Sequence, residues 1–175
     1  MLPEKFLIEN KLEESKKSKP VVNPYSGETV AEVFVPDDKQ FDRSANYLLD
    51  VFEKYKNIPA YVKSELLYKG SAKISERKER LAELITAETG KPIRFSRVEI
   101  DRAVLTFRLG AEESTKIHGE VLPLDLLKGS ENKLGIVRRF PLGLILGITP
   151  WNFPVNLAAH KVSPALASSN VILIK

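Results

Sequence analysis

Leu142-Gly143-Leu144-Ile145-Leu146-Gly147-Ile148 is a near-continuous apolar run, and it constrains the fold more tightly than any other stretch. A strand buried on both faces of a parallel sheet has this character, without the alternation of a half-solvated strand. The run is far too short to span a bilayer, which takes ~20 apolar residues. Pro154 to Ser168 reads as a helix, and Val171 to Ile174 as the next buried strand. This end of the chain is therefore a β-α-β unit.

Between strand and helix lies Gly147-Ile148-Thr149-Pro150-Trp151-Asn152-Phe153-Pro154. Ligands bind outside the carboxyl ends of strands in open α/β sheets, so this segment is the candidate site. Its prolines mark a shaped turn, and Pro154 suits the first turn of the helix that follows. Asn152 fits either of two roles. It can cap the helix, with Trp151 and Phe153 as core aromatics. It can also project into a cleft and donate its amide to a developing oxyanion, where losing one donor costs ~10²–10³ in rate. Gly143 and Gly147 do not make the G-x-G-x-x-G spacing, so a standard dinucleotide turn is not expected.

Upstream, residues 1–18 read as an irregular or weakly helical lead-in. Val21-Val22 and Thr29 to Val35 read as two strands around the turn Asn23-Pro24-Tyr25-Ser26-Gly27-Glu28. Asp37 or Asp38 can cap a helix whose stripe is Phe41, Ala45, Leu48, Phe52 and Tyr55. After Pro59 a second helix carries Val62, Leu66 and Ile74 on one face, and helix continues from Glu76 to Thr89, through Leu81, Leu84 and Ile85, until Gly90. A long helix is expected from Ile93 to Ile117, with Val98, Val104, Phe107 and Ala111 on its stripe. Glu120 to Leu126 and Lys133 to Arg139 read as strands joined by a hairpin-type loop.

The chain has no cysteine, and its only histidines are His118 and His160. A disulfide scaffold, a thiolate zinc site, a histidine metal cluster and a cysteine nucleophile are thereby excluded within these residues. Lys plus Arg number 27 against 23 Asp plus Glu, a formal net charge of +4. The charges interleave, as in Glu76-Arg77-Lys78-Glu79-Arg80, which reads as solvated surface rather than a nucleic-acid face. Met1-Leu2-Pro3-Glu4-Lys5 lacks the apolar run of a secretory signal. A cytoplasmic protein with no nucleic acid, membrane or metal partner is expected.

The block Pro141-Leu142-Gly143 through Thr149-Pro150-Trp151-Asn152-Phe153-Pro154, followed by Lys161, Pro164-Ala165-Leu166-Ala167 and Asn170 to Lys175, resembles the aldehyde dehydrogenase superfamily. Asn23-Pro24 with Gly27, Glu88-Thr89-Gly90-Lys91-Pro92 and Gly119-Glu120 agree with it. Ser169 departs from the pattern, since many members carry glycine there; a looser helix-to-strand connection is expected. The resemblance implies an α/β fold: an N-terminal helical part, an oligomerisation β-hairpin, and the first β-α-β unit of a Rossmann-like cofactor domain, truncated. It implies boundaries at 1–118 for the N-terminal strands and helices of the cofactor-binding domain, 119–140 for the hairpin and 141–175 for the β-α-β unit.

By the same resemblance, Asn152 matches the amide that stabilises the oxyanion formed when a thiolate attacks the aldehyde. Ile148, Thr149, Pro150 and Trp151 match the turn lining the NAD or NADP pocket, and Lys175 a lysine contacting the adenosine ribose. Phe153, Leu157 and His160 match the helix face bordering the substrate channel. Lys161 resembles a lysine near the catalytic pocket, with a surface salt bridge as its plain alternative. His118 reads as structural, and Arg138-Arg139 as interface or surface residues. The implied activity is NAD(P)-dependent oxidation of an aldehyde to a carboxylic acid through a thiohemiacetal, in a homo-oligomer (dimer or tetramer). Arg97 to Glu113 is similar to members acting on small hydroxy- or phospho-aldehydes and semialdehydes. The family's cysteine and glutamate blocks do not appear among these residues. The expectation is therefore the N-terminal part of such an enzyme, inactive alone and marginally stable or self-associating. The alternative is a non-catalytic truncated relative acting as an association module.

Overall fold

The computed structural model describes residues 4–175, with Met1 to Pro3 outside the described residues. Residues 4–18, expected to be irregular or helical, instead form β1 (Phe6–Ile8), β2 (Lys11–Glu13) and the start of β3 (Lys17–Val22). The turn between β1 and β2 is Glu9-Asn10, both at positive φ (51° and 61°). That twist matches antiparallel strands, and asparagine tolerates it, so the β1–β2 ribbon closes without glycine. β3 pairs antiparallel with β4 (Thr29–Val35) around the expected Asn23–Glu28 turn, where the Asn23 Oδ1 accepts from the Tyr25 N–H at 2.9 Å.

α1 (Asp38–Tyr55) begins at Asp37 in a capping box: Gln40 N–H donates to the Asp37 carboxylate at 2.8 Å, and Asp37 N–H donates to the Gln40 side chain at 3.1 Å. α2 (Ala60–Glu76) buries Leu67 rather than the expected Leu66, which is 46% exposed. Arg77 leaves helical geometry, so α3 (Lys78–Thr89) is a separate helix and not a continuation. It ends at Gly90 in the left-handed region (φ 70°), as expected. α4 (Ile93–Glu113) stops four residues before Ile117. Its buried face is Ser96, Glu99, Ile100, Ala103 and Ala111; Val98, assigned to the stripe, is 55% exposed. Small and polar residues lie along the true face, which hides it from a hydrophobic count.

α4 is the centre of the molecule, packed against α2, α3 and α5. Ile100 joins Ala82 and Ile85 in one buried cluster, while Ala111 joins Leu67 and Ala167 in another. β5 (Glu120–Pro123) and β6 (Leu134–Val137) form an antiparallel hairpin, shorter than expected and exposed along most of its length. β7 (Leu144–Gly147), α5 (Pro154–Ala167) and β8 (Val171–Ile174) complete the β-α-β unit, with β7 and β8 parallel. β7 was expected to be buried on both faces, yet Leu146 is 49% exposed, because β8 is its only paired strand among the described residues. The architecture is α/β, and among the described residues no helix is long and apolar enough to cross a membrane.

Ser169 does not loosen the α5–β8 connection. It is buried at positive φ (62°), which explains the glycine expected there, and its Oγ is held by the Lys63 ammonium at 2.8 Å.

Candidate active site

Asn170 sets the start of β7. Its Oδ1 accepts from the Gly143 N–H at 2.8 Å, while Val171 N–H donates to Gly143 O at 3.1 Å. The two strands then run in register to Gly147 opposite Ile174. A Cβ on Gly147 would lie 2.5 Å from Ile174 Cδ1 and 3.4 Å from Lys161 Cδ, so a larger residue would have to displace the Ile174 side-chain tip. Lys161 thus lays its aliphatic stem against the end of β7.

Beyond Gly147 the turn is tied to the end of β8. Lys175 N–H donates to Gly147 O at 2.8 Å; Thr149 N–H and Oγ donate to Lys175 O at 3.1 and 3.3 Å. Ile148, Thr149, Pro150 and Trp151 are therefore brought together with Lys175 outside the carboxyl ends of β7 and β8. Ile148 and Trp151 are 63% and 80% exposed. Two apolar side chains standing in solvent on a hydrogen-bonded turn form a ledge with no intramolecular cover.

Asn152 does not cap α5. The N-cap position is Phe153, with no side-chain cap bond from α5's own leading residues. The cap comes from α4 instead. Glu99 Oε1 accepts from the N–H groups of Val155 at 3.0 Å and Asn156 at 3.2 Å. This carboxylate is fully buried, and its other oxygen accepts from Lys91 Nζ at 2.8 Å. Negative charge at a helix N-terminus satisfies free N–H groups and complements the helix dipole. The same ammonium donates to the Asn152 carbonyl at 2.8 Å and sits 4.4 Å above the Phe153 ring.

With its capping role taken by Glu99, the Asn152 side chain is exposed and makes no hydrogen bond among the described residues. It borders a cleft of about 400 Å³ with Lys91, Phe95, Val98, Arg102 and Phe153. Leu157 is half-buried one turn into α5, and His160 is exposed further along. A larger cleft of about 1030 Å³ is lined elsewhere, by Lys56, Lys63, Arg138, Arg139 and Ser169 among others. His118 and Arg138 are exposed, and Arg139 approaches Glu120 at 3.8 Å.

Glu99 was not among the residues expected at the site. Its signal was a carboxylate between Ser96, Ile100 and Ala103 on the buried side of α4, where a charge persists only with partners.

The sequence matches the aldehyde dehydrogenase family over residues 11–175, and the chain belongs to that family. It is 36% identical over 155 residues to 3-sulfolactaldehyde dehydrogenase of Priestia aryabhattai, covering 89% of this chain and 32% of that protein. It is 38% identical over 157 residues to lactaldehyde dehydrogenase of Methanocaldococcus jannaschii, covering 87% and 32% respectively. Among solved structures, aldehyde dehydrogenase 21 of Physcomitrella patens, in complex with the reaction product succinate, superimposes with a TM-score of 0.94 at 34% identity. That match covers 100% of this chain and 37% of the Physcomitrella patens chain. NADP-dependent glyceraldehyde-3-phosphate dehydrogenase of Bacillus halodurans, complexed with NADP, gives 0.93 at 30% identity, covering 99% and 37%. The chain thus spans about a third of the length of the curated relatives it matches, 32% in the two quoted.

Proposed function

We propose that this chain supplies the oxyanion-stabilising amide and the first cofactor-facing turn of an NAD(P)-dependent aldehyde dehydrogenase. The reaction is oxidation of an aldehyde to a carboxylic acid through a thiohemiacetal, with the thiol lying outside these residues. The observation that carries the reading is Asn152: exposed, unpaired at its side chain, fixed at its carbonyl, and placed just beyond a parallel strand pair.

The carbonyl oxygen of an aldehyde gains negative charge as a nucleophile adds. A fixed amide donor facing that oxygen stabilises the addition more than the ground state. The donor's value depends on how little it reorganises during reaction, and the restrained turn removes the backbone share of that reorganisation.

The ends of β7 and β8 suit a nicotinamide dinucleotide in their chemistry. Ile148, Thr149, Pro150 and Trp151 offer an apolar ledge for a planar ring, and Lys175 a cation for hydrogen bonds to a ribose. Such a cofactor, when bound, accepts hydride from the substrate carbon. The names of two relatives, lactaldehyde and 3-sulfolactaldehyde dehydrogenase, favour a small hydroxy-aldehyde as substrate. Phe153, Leu157 and His160 line its approach in this reading. Residues 1–118 and 141–175 belong to the cofactor-binding part, and 119–140 joins copies into a dimer or tetramer.

The test is aldehyde oxidation by this chain joined after Lys175 to the remaining two thirds of the Methanocaldococcus lactaldehyde dehydrogenase. Turnover is expected in the joined protein and not in the 175-residue chain. Asn152→Ala should lower kcat by ~10²–10³. Turnover by the chain alone, or a joined protein indifferent to Asn152→Ala, would overturn the reading.

A further inference from the structure

We infer that Lys91 and Glu99 are positioning residues for Asn152, an inference that rests on the oxyanion role proposed above. The turn does not hold itself. Pro150, Trp151 and Asn152 are all exposed, and α5 has no cap from its own leading residues. On the amino side its restraint is the set of bonds between Thr149 and Lys175. On the carboxyl side the side-chain hydrogen bonds to the backbone come from one ion pair, beside the packing of Val155 against the Ile100 cluster and Arg102 at 6.0 Å from the Phe153 ring.

Lys91, in the α3–α4 connection, directs its ammonium at three partners: Glu99 Oε2 at 2.8 Å, Asn152 O at 2.8 Å and the face of Phe153 at 4.4 Å. Glu99 Oε1 holds Val155 and Asn156 N–H. The backbone is therefore gripped at Asn152, at Phe153 and at the first turn of α5. A carbonyl bonded to a mostly buried ammonium restrains the peptide plane that follows Asn152, and with it the range of ψ that aims the Asn152 side chain. Rotation about the side-chain bonds is what remains free. A cation that merely neutralised Glu99 would have no need of the carbonyl of the residue bearing the amide.

The crossing of α4 and α5 has its own anchor two turns away. Ser163 Oγ donates to Thr106 O at 3.0 Å where Gly110 admits it. Loss of Lys91 should therefore loosen the turn while leaving the helix pair in place.

The experiment is backbone ¹⁵N relaxation on the 175-residue chain, comparing wild type with Lys91→Met and Lys91→Arg. In the wild type, Asn152 and Phe153 are expected near the rigid-backbone order parameter of about 0.85. In Lys91→Met they should fall below about 0.6, the flexible range, while Ala159 and Ser163 stay rigid. Lys91→Arg, which keeps a cationic donor, should retain the wild-type values. Should Lys91→Met lose its helical signal, Glu99→Gln carries the test. It keeps an acceptor for the two α5 N–H groups but drops the charge that holds the ammonium, and the same fall at Asn152 is expected. Rigid Asn152 and Phe153 in these variants, or an equal loss of order at Ser163, would overturn the inference. Failure of the oxyanion reading is seen separately, as indifference of turnover to Asn152→Ala, and does not alter the relaxation result.

Discussion

Lys63 is buried with Ser169 Oγ as its hydrogen-bond partner, and burial holds its ammonium below the usual lysine range. A lysine with a lowered folded-state pKa binds fewer protons folded than unfolded. Its linkage therefore opposes folding below the folded pKa, and the penalty is relieved as pH rises toward the unfolded value of ~10.4. Stability of the wild type relative to Lys63→Met should accordingly rise with pH through the alkaline range, measured by urea unfolding of both at a series of pH values. A pH-independent difference would contradict the burial of the charge. Ser169 itself was visible in the sequence as a departure from glycine. Its consequence was not, because Lys63 lies 106 positions away and its stem is buried by tertiary packing alone. Asn152 was legible as a turn residue with two open roles, and the position of Glu99 on α4 removes the capping one.

Among the elements, α4 and α5 depend on a close approach. A Cβ on Gly110 would land on Ser163 Oγ, itself bonded to Thr106 O. Gly110→Ala should cost about 1–3 kcal/mol by overpacking, despite alanine's better helix propensity. Adding Ser163→Gly should recover part of that loss in a thermal-melt comparison. A stabilised Gly110→Ala single variant would show that the helices can separate freely. Elements with a strong local signal were readable: the parallel strands, α5 and the start of α1 follow from Leu144 to Gly147, Pro154 and the choice of Asp37 or Asp38 as cap, while the reciprocal bond from Gln40 appears only in the structure. The β1–β2 ribbon was not, because Lys11-Leu12-Glu13 is polar at two of its three positions and its turn lacks glycine. On α4 Val104, Phe107 and Ala111 face the core as expected, whereas Val98 does not, and Ser96 and Glu99 escaped notice because they are polar.

At the scale of the molecule, every sheet among the described residues has two strands, and apart from the bridge of Glu4 to Val33 on β4 their outer edges are open. Two-stranded sheets are marginal in water, and open edges pair with other chains. Val121 and Ile136 face one another across the β5–β6 hairpin at 67% and 66% exposure. Sedimentation of the chain should show concentration-dependent association, and Val121→Lys with Ile136→Lys should shift it toward monomer. A wild-type chain that stays monomeric would contradict the association surface. Family and architecture were legible from the Pro-Trp-Asn-Phe-Pro block. The layout of open edges became visible only with the pairing of strands.

In the proposed function the carboxyl ends of β7 and β8 form one side of a nicotinamide dinucleotide cleft. Amide chemical shifts of the purified chain, followed during titration with NAD⁺ and with NADP⁺, test it most directly. Saturable changes are expected at Ile148, Thr149, Trp151 and Lys175 with Lys63 and Ser169 unmoved. Changes centred instead on the basic cleft at Lys63, Arg138 and Arg139, or none at the strand ends, would contradict it.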